Sequence, residues 1–355
     1  VALLQSSIRP HQPSEMSCVI ACLPLQLRGK AMSEARDVRA KVSRYTNLLF
    51  RNQTLTMFVI MLLIWAVLAL LSPHFFSVTN LFQITLQAAV IAIIAAGETF
   101  VIFSGGIDVS VGSVFAFSSI VGGLAYQATA SIAASITAAI MAGMFAGLVN
   151  GLFITKLRVP PLVATLGMMG IARGFALILS DGIPIYGLSR AYAWIGQGKI
   201  GGVLPFPTVI VVAVFAAAFV VSRYTKFGRF AYAIGSNNEA SRLSGIRVSS
   251  VRIGIYIISG MTAAIAGIIQ AARLGTFQPA GGEGYELIAI GAVVIGGTSL
   301  FGGEGSVLST LIGALIVTTI GNGLNLLGVT AFWQDVANGL IIIVAVAIDQ
   351  YRRSK

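Results

Sequence analysis

Residues 104–113 read SGGIDVSVGS: three glycines, three serines and one aspartate in ten positions. Before them runs LFQITLQAAVIAIIAAGETFVIF (81–103) and after them VFAFSSIVGGLAY (114–126), both strongly apolar. A polar, glycine-rich knot between two stretches suited to lipid reads as a helix break. Unwound backbone at membrane depth is tolerated only where protein or a water-filled cavity satisfies its polar groups. Gly105, Gly106 and Gly112 supply backbone freedom, and Asp108 and Ser110 are placed to cap the next helix. Broken helices also line paths through membranes, and GGTSLFGGEGS at 296–306 is a second interruption. The five named residues are therefore candidates for a path or gate, as hinge and cap first and ligand contact second.

The rest of the composition supports the membrane setting. Hydrophobic residues make up 56% of the 355, charged residues only 10%, and mean hydropathy is +0.90. Soluble domains carry about 25% charge, so the chain is expected to be an all-α polytopic membrane protein. The 23 Lys and Arg outnumber the 12 Asp and Glu. They lie between apolar runs instead of on one basic face, so nucleic acid is not an expected partner. The cysteines, Cys18 and Cys22, both precede the apolar body, and His11 and His74 are far apart. No metal-ligand spacing or nucleophile–His pairing suggests an enzyme.

Residues 1–31 lack periodicity and resemble neither a spanning run nor a signal peptide. They are expected to be a non-native or disordered extension before a start at Met32, with 32–53 a basic lead-in. Ten spans of about 20 apolar residues then fit a membrane body over 54–349, followed by a tail at 350–355. They run near 55–71, 81–103, 110–126, 129–154, 160–180, 207–222, 253–272, 286–300, 306–327 and 333–349. An even number puts both termini on one side. That side collects sixteen Lys and Arg, against three at Arg190, Lys199 and Arg273 on the other. By the positive-inside rule both termini are cytoplasmic. The outer segment 181–206 holds Trp194 and two tyrosines, read as interfacial anchors or a partner-docking surface.

The inner loop 223–252 carries the most information. Asn237 and Asn238 can cap a short helix in which Glu239 suits the first turn and Gly245 the exit. Ala240 and Leu243 share a face, with Arg242 beside it. Such a helix either lies on anionic lipid or inserts into a cytoplasmic partner.

The motif E-A-S-x-x-x-G at Glu239–Gly245 resembles the EAA-x-x-x-G loop through which ABC importer permeases engage their ATPase subunits. GRFAYAIGSNNEASRLSGIRV (228–248), SGGIDVSVGS, GEGYELIAIGAVVIGGTSLFGGEGS (282–306) and NGLNLLG (322–328) are colinear with the ribose-type carbohydrate permeases. The likeness covers essentially all of 50–355. It implies a second permease copy, a tandem-domain ABC ATPase, a periplasmic sugar-binding protein, surrounding lipid and a bacterial inner membrane. It also implies no cofactor bound directly, with ATP and Mg used by the ATPase. No G-x-x-x-x-G-K-[ST] occurs in the chain, so hydrolysis is left to that partner. Asn238, Glu239, Ala240, Arg242, Leu243 and Gly245 are the expected coupling residues.

Glu98 and Arg173 complete the candidate path residues, because charge inside a membrane is costly and faces a bundle interior or wet cavity. Arg173 either snorkels, pairs with Glu98 or lines a path. Gly143, Gly147, Gly151 and Gly313 read as helix-packing residues. Ile288 departs from the family pattern, which has an aspartate there, so no role passes to it. Glu283 and Glu286 are placed on the outer side, towards the binding protein or the substrate mouth. A proton- or cation-coupled secondary transporter, using Glu98 or Asp108, is the alternative.

Overall fold

The computed structural model describes residues 53–353. The chain divides into Val1–Thr56 and Met57–Lys355, and all the packing that follows lies within the second unit. The extension expected at 1–31 and nearly all of the lead-in at 32–53 lie outside the described residues.

Long apolar runs become helices, and polar or proline residues at their edges set the ends. After α1 (Gln53–Leu71), Ser77 accepts a bond from the Asn80 amide to open α2 (Val78–Phe103). The knot separates α2 from α3 (Val111–Thr129), and Ser131 caps α4 (Ile132–Thr155) through the Ala134 amide. Pro161 begins α5 (Pro161–Leu179), where a missing amide costs nothing. The connection after α5 holds a short helix, α6 (Arg190–Gln197), and a small hairpin, β1 (Lys199–Ile200) with β2 (Leu204–Pro205). Then come α7 (Phe206–Tyr224), α8 (Lys226–Ser236), α9 (Asn238–Leu243) and α10 (Val248–Leu274). The chain closes with α11 (Tyr285–Ile295), α12 (Val307–Leu326) and α13 (Ala331–Arg353). The last helix therefore continues into the stretch expected as a tail.

Among the described residues, eight helices are long and apolar enough to cross a membrane; α11 and 331–347 of α13 are shorter apolar helices. Together they give the expected ten and an all-α fold. Helix α2 is the central post, with Glu98, Ile93, Ile94 and Phe103 fully buried. Helix α4 lies along α10 through a row of glycines. A Cβ on Gly143 or Gly147 would overlap the carbonyl of Gly260 or Tyr256, and one on Gly151 would come 2.8 Å from the Ile253 Cα. Lipid offers no hydrophobic drive between helices, so such backbone approach supplies the attraction. Gly313 likewise meets the Ala292 carbonyl on α11.

The fold departs from uniform spans at two places. Residues 275–284 pass beneath the far end of α10 as irregular chain, so that α11 has only 11 residues. The second interruption lies between α11 and α12 and closes against the first. The Gly303 amide donates to the Phe103 carbonyl (3.0 Å), and Gly302, at φ 84°, could carry no side chain beside Gly105 and Gly235. Tyr192 on α6 is no interfacial anchor. It is fully buried against Ser135, whereas Trp194 is about half exposed and tilted over Phe206.

Candidate functional site

The turn at 237–247 is built almost entirely from its own residues. Asn237 accepts the Ala240 amide through its side chain (2.9 Å), which fixes the start of α9. Gly245, at φ 83°, donates to the Arg242 carbonyl, and Ile246 donates to that of Ser241, which ends it. Arg242 binds the Glu239 carboxylate with Nε and Nη2, so both are committed to each other as well as to the surface. That contact holds the exposed Glu239 carboxyl below its ordinary range, through the hydrogen bond first and the positive charge second. Ser241 points inward, while Asn238, Glu239, Ala240, Arg242, Leu243 and Gly245 are exposed. Leu243 is 76% exposed, a large apolar side chain at the tip of a polar turn.

This turn is mounted on α8, which docks on the end of α2. Tyr232 stacks on Phe103 at 4.2 Å and donates to the Gly305 carbonyl at 3.1 Å. Gly235 lies so close to the Phe103 carbonyl that a Cβ would overlap it. The support of α9, the end of α2 and the second interruption thus share one backbone junction.

Beyond that junction the knot turns back into the bundle. Gly105 has φ 74°, and the Gly106 amide donates to the Val101 carbonyl. The Asp108 amide then reaches Glu98 Oε1 at 3.0 Å. Asp108 Oδ1 accepts from the amide and hydroxyl of Ser110, and Oδ2 accepts from the Ser259 hydroxyl on α10 (2.9 Å). Asn150 on α4 donates to the Ser110 hydroxyl, and Thr165 on α5 to the Ile107 carbonyl. Five helices are joined there by one buried polar cluster, in which Glu98 Oε2 and the Tyr256 hydroxyl have no partner among the described residues. Chemically, the cluster locks the broken backbone in place, and none of its groups is exposed.

Three sequence expectations change at this point. Ser110 occupies the N-cap of α3 but makes no side-chain cap bond, because its hydroxyl is drawn to Asp108. Of the three glycines, only Gly105 uses the left-handed region. Gly106 is needed for closeness to the Tyr256 hydroxyl, and Gly112 for closeness to Glu286 and the Gly282 carbonyl. Arg173 does not pair with Glu98. Its Nη1 donates to the carbonyls of Pro279 and Gly281, both at 2.9 Å, and so pins the irregular segment before α11. Glu98 instead accepts the Asp108 amide of the knot through Oε1. Glu286 is only half-buried and turns back to the Gly284 amide, while Glu283 is exposed.

Sequence reasoning missed a polar cavity at the end of the bundle opposite α9. It has a volume of about 240 Å³ and lies between α2, α10, α11, α12 and α13. Gln87, Gln270, Tyr285, Asn322 and Asn338 are among its walls, and so is Ile288. A neighbouring cavity of about 230 Å³, over the segment 275–284, shares Gln270 and Tyr285 with it. Amides spaced three or four residues apart within apolar helices, Asn322 with Asn325 and Gln334 with Asn338, were the available signal.

The family described as "Branched-chain amino acid transport system / permease component" matches residues 80–346. The ribose import permease protein of Bacillus subtilis (strain 168) is 46% identical over 287 residues, covering 80% of this chain and 88% of that protein. That of Escherichia coli (strain K12) is 42% identical over 301 residues, covering 82% and 92%. The L-arabinose transport system permease protein of the same strain is 39% identical over 297 residues, covering 82% and 90%. No solved structure matches the chain. With its ten apolar helices, its interrupted spans and these relatives, the chain belongs to the ribose-type carbohydrate ABC permeases within that family.

Proposed function

We propose that the chain is the membrane-spanning subunit of an ATP-driven importer of a monosaccharide, a ribose-like pentose or a related sugar. It has no covalent chemistry to perform; it supplies a path and a gate. Two copies would form the pore, a tandem-domain ATPase would dock on the end that carries α9, and a periplasmic binding protein would deliver sugar to the other end. The excess of Lys and Arg on the α9 side supports a cytoplasmic assignment for that end and for both termini.

The observation that carries this reading is the mounting of α9. An exposed, self-capped turn with Leu243 at its tip follows directly on the end of α8 where Gly235 packs against Phe103, Gly302 and Gly303, at the meeting of the two chain interruptions. In the proposed cycle Ala240 and Leu243 fill a groove in the ATPase, and Glu239 and Arg242 orient the contact at its rim. Closure of the ATPase dimer moves α9 and α8 as one body. Because Gly235 and Gly303 are seated on the Phe103 carbonyl, that motion reaches α2 and the knot of Gly105, Gly106, Asp108, Ser110 and Gly112 without an intervening flexible link. Two-state displacement of packed elements is a common means of gating.

The buried carboxyl pair of Glu98 and Asp108 favours a second reading, a proton- or cation-coupled carrier. Uptake of radiolabelled D-ribose into proteoliposomes containing the chain, its ATPase and its binding protein separates the two. The importer requires ATP and ignores an ionophore; the carrier runs without ATP and stops when the ionophore is added.

A further inference from the structure

The cavity opposite α9 is polar in a place where polarity is expensive. Six amide side chains reach it from four helices: Gln87, Gln270, Asn322, Asn325, Gln334 and Asn338. Amides within spanning helices are retained where they face one another or a wet space. Some are already engaged: Asn322 donates to Asn80 (2.9 Å), Gln334 to the Val329 carbonyl (3.0 Å) and Gln270 to the Tyr285 hydroxyl (3.5 Å). The Oε1 of Gln270 and the Oδ1 of Asn322 are buried acceptors with no donor among the described residues. Buried acceptors in that condition are costly unless something donates to them.

The wall also defines what that something is. Among the described residues no Asp or Glu lines the cavity, which gives a cation or an amine no carboxylate partner there. Among the described residues its one cation is Arg273, which directs Nη2 to the side-chain oxygen Oε1 of Gln83 (3.4 Å). Amides offer donors and acceptors in equal measure, which matches hydroxyl groups that both give and accept. Ile288, Ile91 and Val317 supply apolar faces for the C–H side of a ring. At about 240 Å³ the space equals roughly eight waters, the scale of a monosaccharide.

We infer that this amide-lined cavity binds the transported sugar as a neutral polyol, and that Gln270 and Asn322 are residues that discriminate among sugars. The inference rests on the importer reading for the identity of the ligand class. The neighbouring cavity gives it an approach, since Gln270 and Tyr285 form the shared wall.

Gly321 makes the inference testable without removing a bond. It lines the cavity on α12, and a Cβ there would meet nothing within 4 Å. Gly321→Leu therefore fills the space and leaves the packing intact. The measurement is saturable binding of radiolabelled D-ribose, L-arabinose and D-allose to the full chain in nanodiscs, by scintillation proximity. Wild type is expected to bind at least one of them. Gly321→Leu should lose binding by about ten-fold or more, and Gln270→Ala and Asn338→Ala should each weaken it by about five-fold, the worth of one hydrogen bond. The Gln270 variant should also change the ranking of the three sugars. If Gly321→Leu does not reach the membrane, the two alanine variants decide. Absence of saturable binding in wild type, or binding unchanged in the variants, overturns the inference. ATP-dependent uptake is scored separately, so loss of uptake with retained binding counts against the importer reading alone.

Discussion

The turn at 237–247 and the knot at 104–110 share one backbone junction, yet they are held in opposite ways. The turn closes on itself: Asn237 on Ala240, Arg242 on Glu239, Gly245 on Arg242. The knot is closed by other helices, with partners from Glu98, ten residues away, to Ser259, 151 residues away. One is a surface that the bundle displays, and the other is a fastening that the bundle needs. A change in the first should therefore spare the fold and strike function, whereas a change in the second should strike the fold.

The largest expected effect is on the knot. Asp108→Ala would leave the Ser110 amide and the Ser259 hydroxyl buried without an acceptor, costing about 3 kcal/mol or more. Thermal unfolding in detergent should show that loss, while Leu243→Asp stays within about 0.5 kcal/mol of wild type. Equal stabilities for the two variants would break the comparison. Next comes the packing beside the knot. Gly147→Leu would drive a side chain into the Tyr256 carbonyl and should cost about 1–3 kcal/mol. Gly170→Leu on α5, where a Cβ meets nothing, should be close to neutral in the same assay.

The turn yields smaller effects. Asn237→Ala removes the cap of α9, worth about 1 kcal/mol, and hydrogen exchange at the amides of 238–243 should rise about five-fold with global stability unchanged. Glu239 gives the smallest. Its folded carboxyl titrates below its unfolded value because of Arg242, so its contribution is present at neutral pH. That contribution is lost as pH falls through the lowered value. Carboxyl NMR should place its midpoint under the usual range, and Arg242→Gln should return it to the ordinary value.

Much of this was legible in the sequence because it is local. Apolar runs gave nine of the spans to within a few residues, and N-caps, Gly245 and the motif at 239–245 gave the turn. The tenth, α11, ends at Ile295 instead of near 300, because Gly296–Gly305 folds back onto Phe103. The knot was visible as a break, but its bonding was not. Ser110 looks like a cap by position, and only the nearness of Asp108 and Asn150 redirects its hydroxyl. Arg173 found carbonyls on a segment more than a hundred residues away instead of a carboxylate. The amide cavity was hidden for the same reason. Gln87 and Asn338 lie in helices far apart in the sequence, and only the packing of five helices brings them to one space.

The central claim is that energy enters through Leu243 and its neighbours. Its most direct test is Leu243→Asp, reconstituted with the ATPase and the binding protein, with ATP-driven uptake of D-ribose measured beside thermal stability and ATP hydrolysis. Uptake reduced to background in a protein of wild-type stability, with sugar-stimulated hydrolysis lost, is the predicted result. Uptake at the wild-type rate would contradict it.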